Sequence, residues 1–379
     1  MCGIATYTYA LDQSFRRLYP EIQTGVIGVR EAGAQYAYSD FVKSEIIQGS
    51  LKSYEDAAVF ANDSEFDVIK LQHEFGLFTP VRDKKLELGE DDGKDILTFL
   101  RQVKKPVVTT FHMVFPNPPK HHKKVVQEII ERSSKVVTIA DYANYLLLRD
   151  YGADERKLQV IPHGVPDIEL KPTTEFKRKL GIPEDQLVIS TFGLIRAKKG
   201  IEYAIRAMPK IVQEFPNAHY YVVGASHPQR PKEYLDFLHE EARSLGVEDH
   251  VHFVTRFLGY EELLDWLQAS NVFLAPFLVL EAISSGTLIY AMGAGRACIA
   301  TPFVFAKQVL ADNRGIIVPP RSKTAIAQAV IQFFRHPRFR HTVQDRAYRY
   351  ARARIWAKVA KKYLDLLEKA TERYVVPSD

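Results

Sequence analysis

The sequence predicts an α/β protein of two Rossmann-like domains facing a cleft, and three observations carry that prediction. Strand-like apolar runs alternate with helical patterns along the whole chain, the signature of layered folds with parallel sheets. The alternation restarts after "GVPDIELKPTTEFKRKLGIPEDQ", a polar, proline-bearing stretch near residues 165–187 that reads as a linker. At 379 residues the chain also exceeds what one core comfortably serves. The boundaries follow: residues 1–170 form the first domain and 171–349 the second.

In the first half, strands are predicted at "TGVIGVR", "FDVIKLQHE", "PVVTTFH", "KVVTIA" and "LQVIPHG". Helical patterns such as "GKDILTFLRQV" and "KKVVQEIIERS" lie between them. The second half repeats the scheme with "LVISTFG", "HYYVVGA", "HVHFVTRF", "NVFLAPF", "ACIATPF" and "GIIVPP". Apolar runs such as "NVFLAPFLVL" fall short of a membrane span. The start "MCGIATYTYALDQSF" lacks a basic n-region and a long apolar core, as expected of a cytoplasmic protein. Cys2 and Cys298 are too few for a disulfide framework and suggest no metal site.

Charge is unevenly divided. Residues 1–170 hold 21 Lys+Arg against 25 Asp+Glu, and residues 171–379 hold 30 against 21. A basic second half suits an anionic small molecule. Nothing here has the form of a nucleic-acid-binding motif, so a nucleic-acid partner is not expected.

In doubly wound sheets, ligands sit beyond the carboxyl ends of the strands. That rule selects His73 and Glu74, His112, His163, the segment "GLIRAKKG" from Gly193 to Gly200, Ser226 with His227, and Arg256. The stretch "SSGTLIYAMGAGRACIATP" then places Ser285, Gly286 and Thr287 at a helix start. Exposed amides and the helix dipole favour a phosphate there, whereas an ordinary N-cap uses the same residue types. The residues alone leave both readings open.

Taken together, "CGIATYT", "QHEFG", "TFH", "VIPHGVPD", "FGLIRAKKGIEYAI", "VVGASHP", "SSGTLIYAMGAGRACIATP" and "DNRGIIVP" resemble, in order, the family-4 nucleotide-sugar glycosyltransferases of the GT-B fold, the group 1 glycosyl transferases. The resemblance covers nearly the whole chain. It implies an acceptor-side first domain and a donor-binding second one. It also implies that the last helix, within about 350–379, crosses back to the first domain. The implied co-substrate is a nucleoside-diphosphate sugar of GDP-mannose or UDP-glucose type, and no cofactor or metal is implied. The implied reaction is transfer of a hexose to a hydroxyl acceptor, saccharide or lipid-linked, with retention. On the matching positions, Lys199 would neutralise the leaving diphosphate, a large catalytic term. His112 would approach the transferred sugar, Gly3 would let the first loop come close to the ligands, and "SSGT" would lie beside the diphosphate.

The departures from the family pattern are specific. Leu194 stands where many relatives carry arginine, and Arg196 is the cation that would replace it. Ala282 and Tyr290 stand where relatives often carry two glutamates, with Glu281 one place out of register. Tyr290 would therefore have to meet the donor ribose, which leaves donor identity open. Relatives also carry a strand ahead of "CGIAT". Lys120, Lys123 and Lys124 precede an amphipathic pattern, as in enzymes that touch membranes peripherally, although a solvated helix face has the same letters. Two other functions fit the same resemblance: a sugar-nucleotide epimerase, and a catalytically silent nucleotide-sugar-binding partner subunit.

Overall fold

The computed structural model describes residues 3–36, 38, 40–79, 93–225, 233–256 and 258–372. These divide into two compact units, one made of Gly164–Ile355 and the other of the residues up to His163 together with those from Trp356 onward.

The first unit runs α1 (Gly3–Leu18), β1 (Val26–Arg30), β2 (Val42–Ile47), α2 (Leu51–Asp63), β3 (Ile69–His73), α3 (Ile96–Gln102), β4 (Val107–Phe111), α4 (Lys120–Glu131), β5 (Lys135–Thr138), α5 (Asp141–Tyr151) and β6 (Leu158–Val160). Strands β3-β4-β5-β6 form a parallel sheet in that order, and β1 pairs in parallel with β2 as a separate sheet. The predicted strands are all present. Strand β2 escaped prediction because "VKSEII" carries a lysine and a glutamate within six residues. The segment "GIATY", expected as a loop, is the start of α1. Tyr7, Ala10, Leu11, Ser14 and Phe15 give that helix a buried stripe at helical spacing.

The second unit runs α6 (Thr173–Lys179), β7 (Leu187–Phe192), α7 (Ile201–Ile205), α8 (Met208–Glu214), β8 (Ala218–Val223), α9 (Glu233–Ser244), β9 (Val251–Val254), α10 (Tyr260–Ala269), β10 (Val272–Ala275), α11 (Gly286–Gly293), β11 (Ala297–Ala300), α12 (Val304–Val309), β12 (Ile316–Ile317), α13 (Lys323–Arg335) and α14 (Pro337–Arg352). Its six strands form one parallel sheet, ordered β12-β11-β10-β7-β8-β9. The change of direction beside β7 makes it doubly wound. Strands β10 and β11 are buried at every position, as a sheet covered by helices on both faces requires.

The expected linker is more ordered than its composition suggests. It contains α6, whose Phe176 and Lys177 are buried. Lys177 Nζ donates to the carbonyls of Glu184, at 3.1 Å, and Gln186, at 2.7 Å. Those two bonds turn a polar stretch into a packed corner. The last helix, α15 (Trp356–Glu372), belongs to the first unit. There Tyr363 Oη shares hydrogen bonds with Tyr7 Oη, at 2.9 Å, and Thr110 Oγ1, at 3.0 Å.

Arg296 locks the second unit from inside. Only 4% of it is exposed, and its guanidinium donates to the carbonyls of Ala294 (2.7 Å), Gln268 (3.0 Å) and Ser270 (3.0 Å). It thereby satisfies the end of α10 and the turn after α11 together. Burial pulls its pKa down to about 10, which still leaves it charged at neutral pH. Replacing it strands those carbonyls without donors. Arg296→Met is expected to cost about 3 kcal/mol, read as a lower denaturation midpoint in urea. A change below about 0.5 kcal/mol would show the carbonyls to be satisfied otherwise.

Candidate functional site

The strongest convergence of predicted residues lies at the carboxyl end of β7. Gly193 follows the strand with φ +115°, and a Cβ there would stand 3.5 Å from Lys199 Nζ and 3.8 Å from Thr287 Cγ2. Gly193, Lys199 and the first turn of α11 therefore meet at one point. The lysine is delivered there by a short 3-10 turn, Ala197–Lys199. Gly200 ends that turn at φ +63°, so close to the Pro276 carbonyl that a Cβ would lie 2.2 Å from its oxygen. Only glycine fits there. The amide of Leu278 donates to the Lys198 carbonyl at 2.9 Å and completes the clasp between the two loops.

This clasp sets Lys199 on a ring that the sequence reading did not single out. Lys199 Nζ lies 3.7 Å from the centroid of Phe277, a cation–π contact. Phe277 stacks on Phe303 at 5.4 Å, and Thr301 Oγ1 donates to the Phe277 carbonyl at 2.5 Å. Burial, and secondarily the charge of Arg196, lower the Lys199 pKa to about 7. An arriving phosphate would reverse that balance, since an adjacent anion favours the ammonium form.

Ser285 answers part of the question that its segment raised. It is the N-cap of α11, and its Oγ accepts from the Leu288 amide at 3.3 Å. Its side chain is thus a cap. The amides of Gly286 and Thr287 remain at the helix start, where the helix supplies no carbonyl for them. Thr287 Oγ1 lies 3.5 Å from Ser285 Oγ, and Tyr290 is buried further along α11.

The other second-unit candidates are placed differently. Arg256 is exposed and engaged by Glu262 of α10 through both terminal nitrogens, one contact being 2.7 Å. Its guanidinium is thus held by a carboxylate. Arg196 is exposed at the head of the Lys199 turn. Ser226 and His227 lie outside the described residues.

In the first unit, β3 and β4 end side by side and present His73 and His112. The His112 amide donates to the His73 carbonyl at 2.9 Å. His112 Nε2 lies 2.8 Å from Gln72 Oε1, and its ring meets the Tyr7 ring edge-on at 5.0 Å. Burial, then the charges of Lys70, His163 and His73, push its pKa well below the usual histidine value. It is thus a neutral imidazole at physiological pH.

His73 contradicts its assignment to the acceptor side. It is fully buried among the rings of Phe75, Phe78 and Phe111, and burial lowers its pKa to about 3. Both ring nitrogens lack hydrogen-bond partners among the described residues, so it packs as an aromatic core residue. Glu74, the next residue, turns out of the strand and is partly exposed. Gly3 begins α1, and a Cβ there would meet open space.

Lys120 and Lys124 are exposed on α4, with Lys123 partly so. The opposite face, carrying Val125, Val126, Ile129 and Ile130, is buried. No helix among the described residues is long and apolar enough to cross a membrane. Nor do those residues contain a group of three or more histidine, cysteine or carboxylate side chains suited to a metal ion.

Residues 172–350 match the family model described as Glycosyl transferases group 1. The chain is 26% identical over 266 residues to a D-inositol 3-phosphate glycosyltransferase of Kineococcus radiotolerans, covering 65% of this chain and 59% of that protein. It is 25% identical over 254 residues to an uncharacterized glycosyltransferase of Methanocaldococcus jannaschii, covering 63% and 61%. These matches span about three fifths of the curated relatives' length. Among solved structures, a glycosyltransferase from Rickettsia africae superposes with a TM-score of 0.73 at 16% identity, covering 97% of this chain and 95% of that one. Anabaena HepE, solved with UDP-glucose, gives a TM-score of 0.73 at 14% identity, covering 97% and 96%. The two Rossmann-like units thus have the GT-B glycosyltransferase fold.

Lys199 makes a testable trade. A Lys199 pKa of about 7 in the folded protein, against the ordinary 10.5, means that the unfolded chain binds that proton more tightly. Stability from this group is then full above pH 10.5 and is lost as pH falls towards 7. Lys199→Met is expected to melt a few °C above the parent at pH 7, on the order of 1 kcal/mol. The gap should close by about pH 10.5. Thermal melts across that range check it, and a lower-melting variant at pH 7 would refute the assignment.

Proposed function

We propose that the protein is a glycosyltransferase moving a hexose from a nucleoside-diphosphate sugar to a hydroxyl acceptor. The observation that carries this is the meeting of Lys199, Gly193 and Thr287 at the end of β7, in the group 1 domain. A cation and a helix start together favour a diphosphate. In this reading the Gly286 and Thr287 amides hold the phosphate oxygens. The Lys199 ammonium takes up the charge that grows on the leaving diphosphate as the glycosidic bond breaks. Retention of anomeric configuration belongs to the proposal. In that course the departing phosphate accepts the acceptor's proton, and no protein base is required.

GDP-mannose and UDP-glucose are the donor types to try first. Tyr290 replaces the carboxylate that many relatives place near the ribose, so a weaker or different hold on the donor ribose is part of the reading. The acceptor is a saccharide or a lipid-linked saccharide. A lipid-linked one gives the Lys120, Lys123 and Lys124 edge of α4 a role at anionic headgroups.

Incubation with a panel of UDP-, GDP- and ADP-sugars tests the proposal. Slow donor hydrolysis supports a transferase, inversion at C2 points to an epimerase, and binding without turnover points to a silent partner subunit. With a competent donor, Lys199→Ala should lower kcat by two orders of magnitude or more, about 3 kcal/mol in the transition state. Unchanged turnover would remove the lysine from the mechanism.

The helix start has its own test. Gly286→Ala places a methyl where the phosphate would lie. Calorimetric titration with the nucleoside diphosphate should show at least tenfold weaker binding, while the melting temperature of the free protein barely moves. Equal affinity with altered stability would make this segment a cap alone.

A further inference from the structure

The sequence reading passed over a lysine inside β3. Lys70 is the second residue of that strand, and its Nζ is buried without a hydrogen-bond partner among the described residues. It lies 4.2 Å from the centroid of the Tyr363 ring and 5.4 Å from that of Tyr7. The two phenols are tied together by their 2.9 Å hydrogen bond. Tyr363 is anchored in turn on Thr110 of β4.

Tyr7 is only 1% exposed, and its ring stands edge-to-face with three others. His112 lies at 5.0 Å, His163 at 5.0 Å and Trp356 at 4.9 Å. One ring therefore touches both the lysine and the two strand-end histidines. Gln72, which holds His112 Nε2, stands two residues after Lys70 and so on the same face of β3. That face meets His112 twice, directly through Gln72 and through Tyr7 from Lys70.

An apolar residue would fill this place in the strand without the cost of removing an ammonium from water. The charge itself must then be what the position uses. Among the described residues, the titratable groups that bear on His112 include Lys70 and His73 from β3, His163 after β6 and Tyr7 from α1. None of these is a carboxylate, and the Lys70 ammonium opposes a second proton on the imidazole.

We propose that Lys70 is a positioning residue for His112: through Tyr7 it fixes the place of the imidazole, and its charge keeps the imidazole neutral. This rests on the transferase reading, in which His112 handles the transferred sugar as a neutral hydrogen-bonding group. Lys70 touches no substrate and acts only through the histidine.

The test is a nitrogen NMR titration of the His112 imidazole, without donor, in the parent, Lys70→Met and Lys70→Arg. The His112→Gln variant assigns the signal. In Lys70→Met, His112 is expected to take its proton roughly one pH unit higher, and Lys70→Arg should restore the parent curve. With donor, the kcat of Lys70→Met should begin to fall on the acid side at a higher pH than that of the parent while KM holds. A folded Lys70→Met whose His112 titrates as in the parent overturns the proposal. Should that variant fail to fold, the parent decides. Burial lowers the Lys70 pKa, so the parent's His112 signal should shift as Lys70 itself titrates, and a signal blind to that titration overturns the proposal. Absence of turnover with every donor would sink the transferase reading while leaving the histidine titration readable.

Discussion

An ammonium drawn into the protein with no carboxylate beside it is costly, and among the described residues Lys199 and Lys70 are so placed. Lys199 rests on the face of Phe277 and Lys70 between Tyr363 and Tyr7. Burial lowers both to about 7. The aromatic face recovers only part of the lost hydration, so the surrounding fold must hold each lysine in place. The clasp of Gly200 on the Pro276 carbonyl does this in the second unit. The linked phenols of α1 and α15 do it in the first. Rigid backbone and rings supply what a counter-ion would otherwise supply.

This arrangement explains why so much of the neighbourhood is glycine, proline and phenylalanine rather than acid. A carboxylate next to Lys199 would stabilise it but would also compete with any incoming anion. On the proposed reading, a lysine kept short of partners has its charge available when a diphosphate arrives, at the expense of stability in the free protein. Such trades are common where function needs a group that the fold alone would not select.

How far the sequence disclosed this depended on the kind of signal. The strands of both sheets were legible because buried parallel strands are continuous apolar runs, as in "LVISTF" and "ACIA". Strand β2 was not, since Lys43 and Glu45 break its run. Helix α6 hid in a linker because its burial comes from Phe176 and from the stem and head of Lys177, which a polarity count scores as surface. Within the candidate site, Gly193, Lys199 and Thr287 stood out by strand-end position. Phe277 did not, because it lies far along the chain from the lysine that it carries. His73 misled for the opposite reason: a histidine after a strand signals a ligand edge, yet here three phenylalanines enclose it.

The departures from the family pattern fall on side chains, namely Leu194, Ala282 and Tyr290. On the proposed reading, the groups that meet the diphosphate are backbone amides and one lysine. Amides at a helix start depend on the course of the chain and little on side-chain identity. The chain's course at α11 is fixed from beneath. Ser285 caps the helix, Leu288 and Ile289 are fully buried, and Arg296 satisfies the turn that follows. On the proposed reading, substitutions at the three departed positions can therefore retune how the donor is held without moving the atoms proposed to meet its diphosphate. A site whose chemistry rests on backbone and whose selectivity rests on side chains can change donors within one fold.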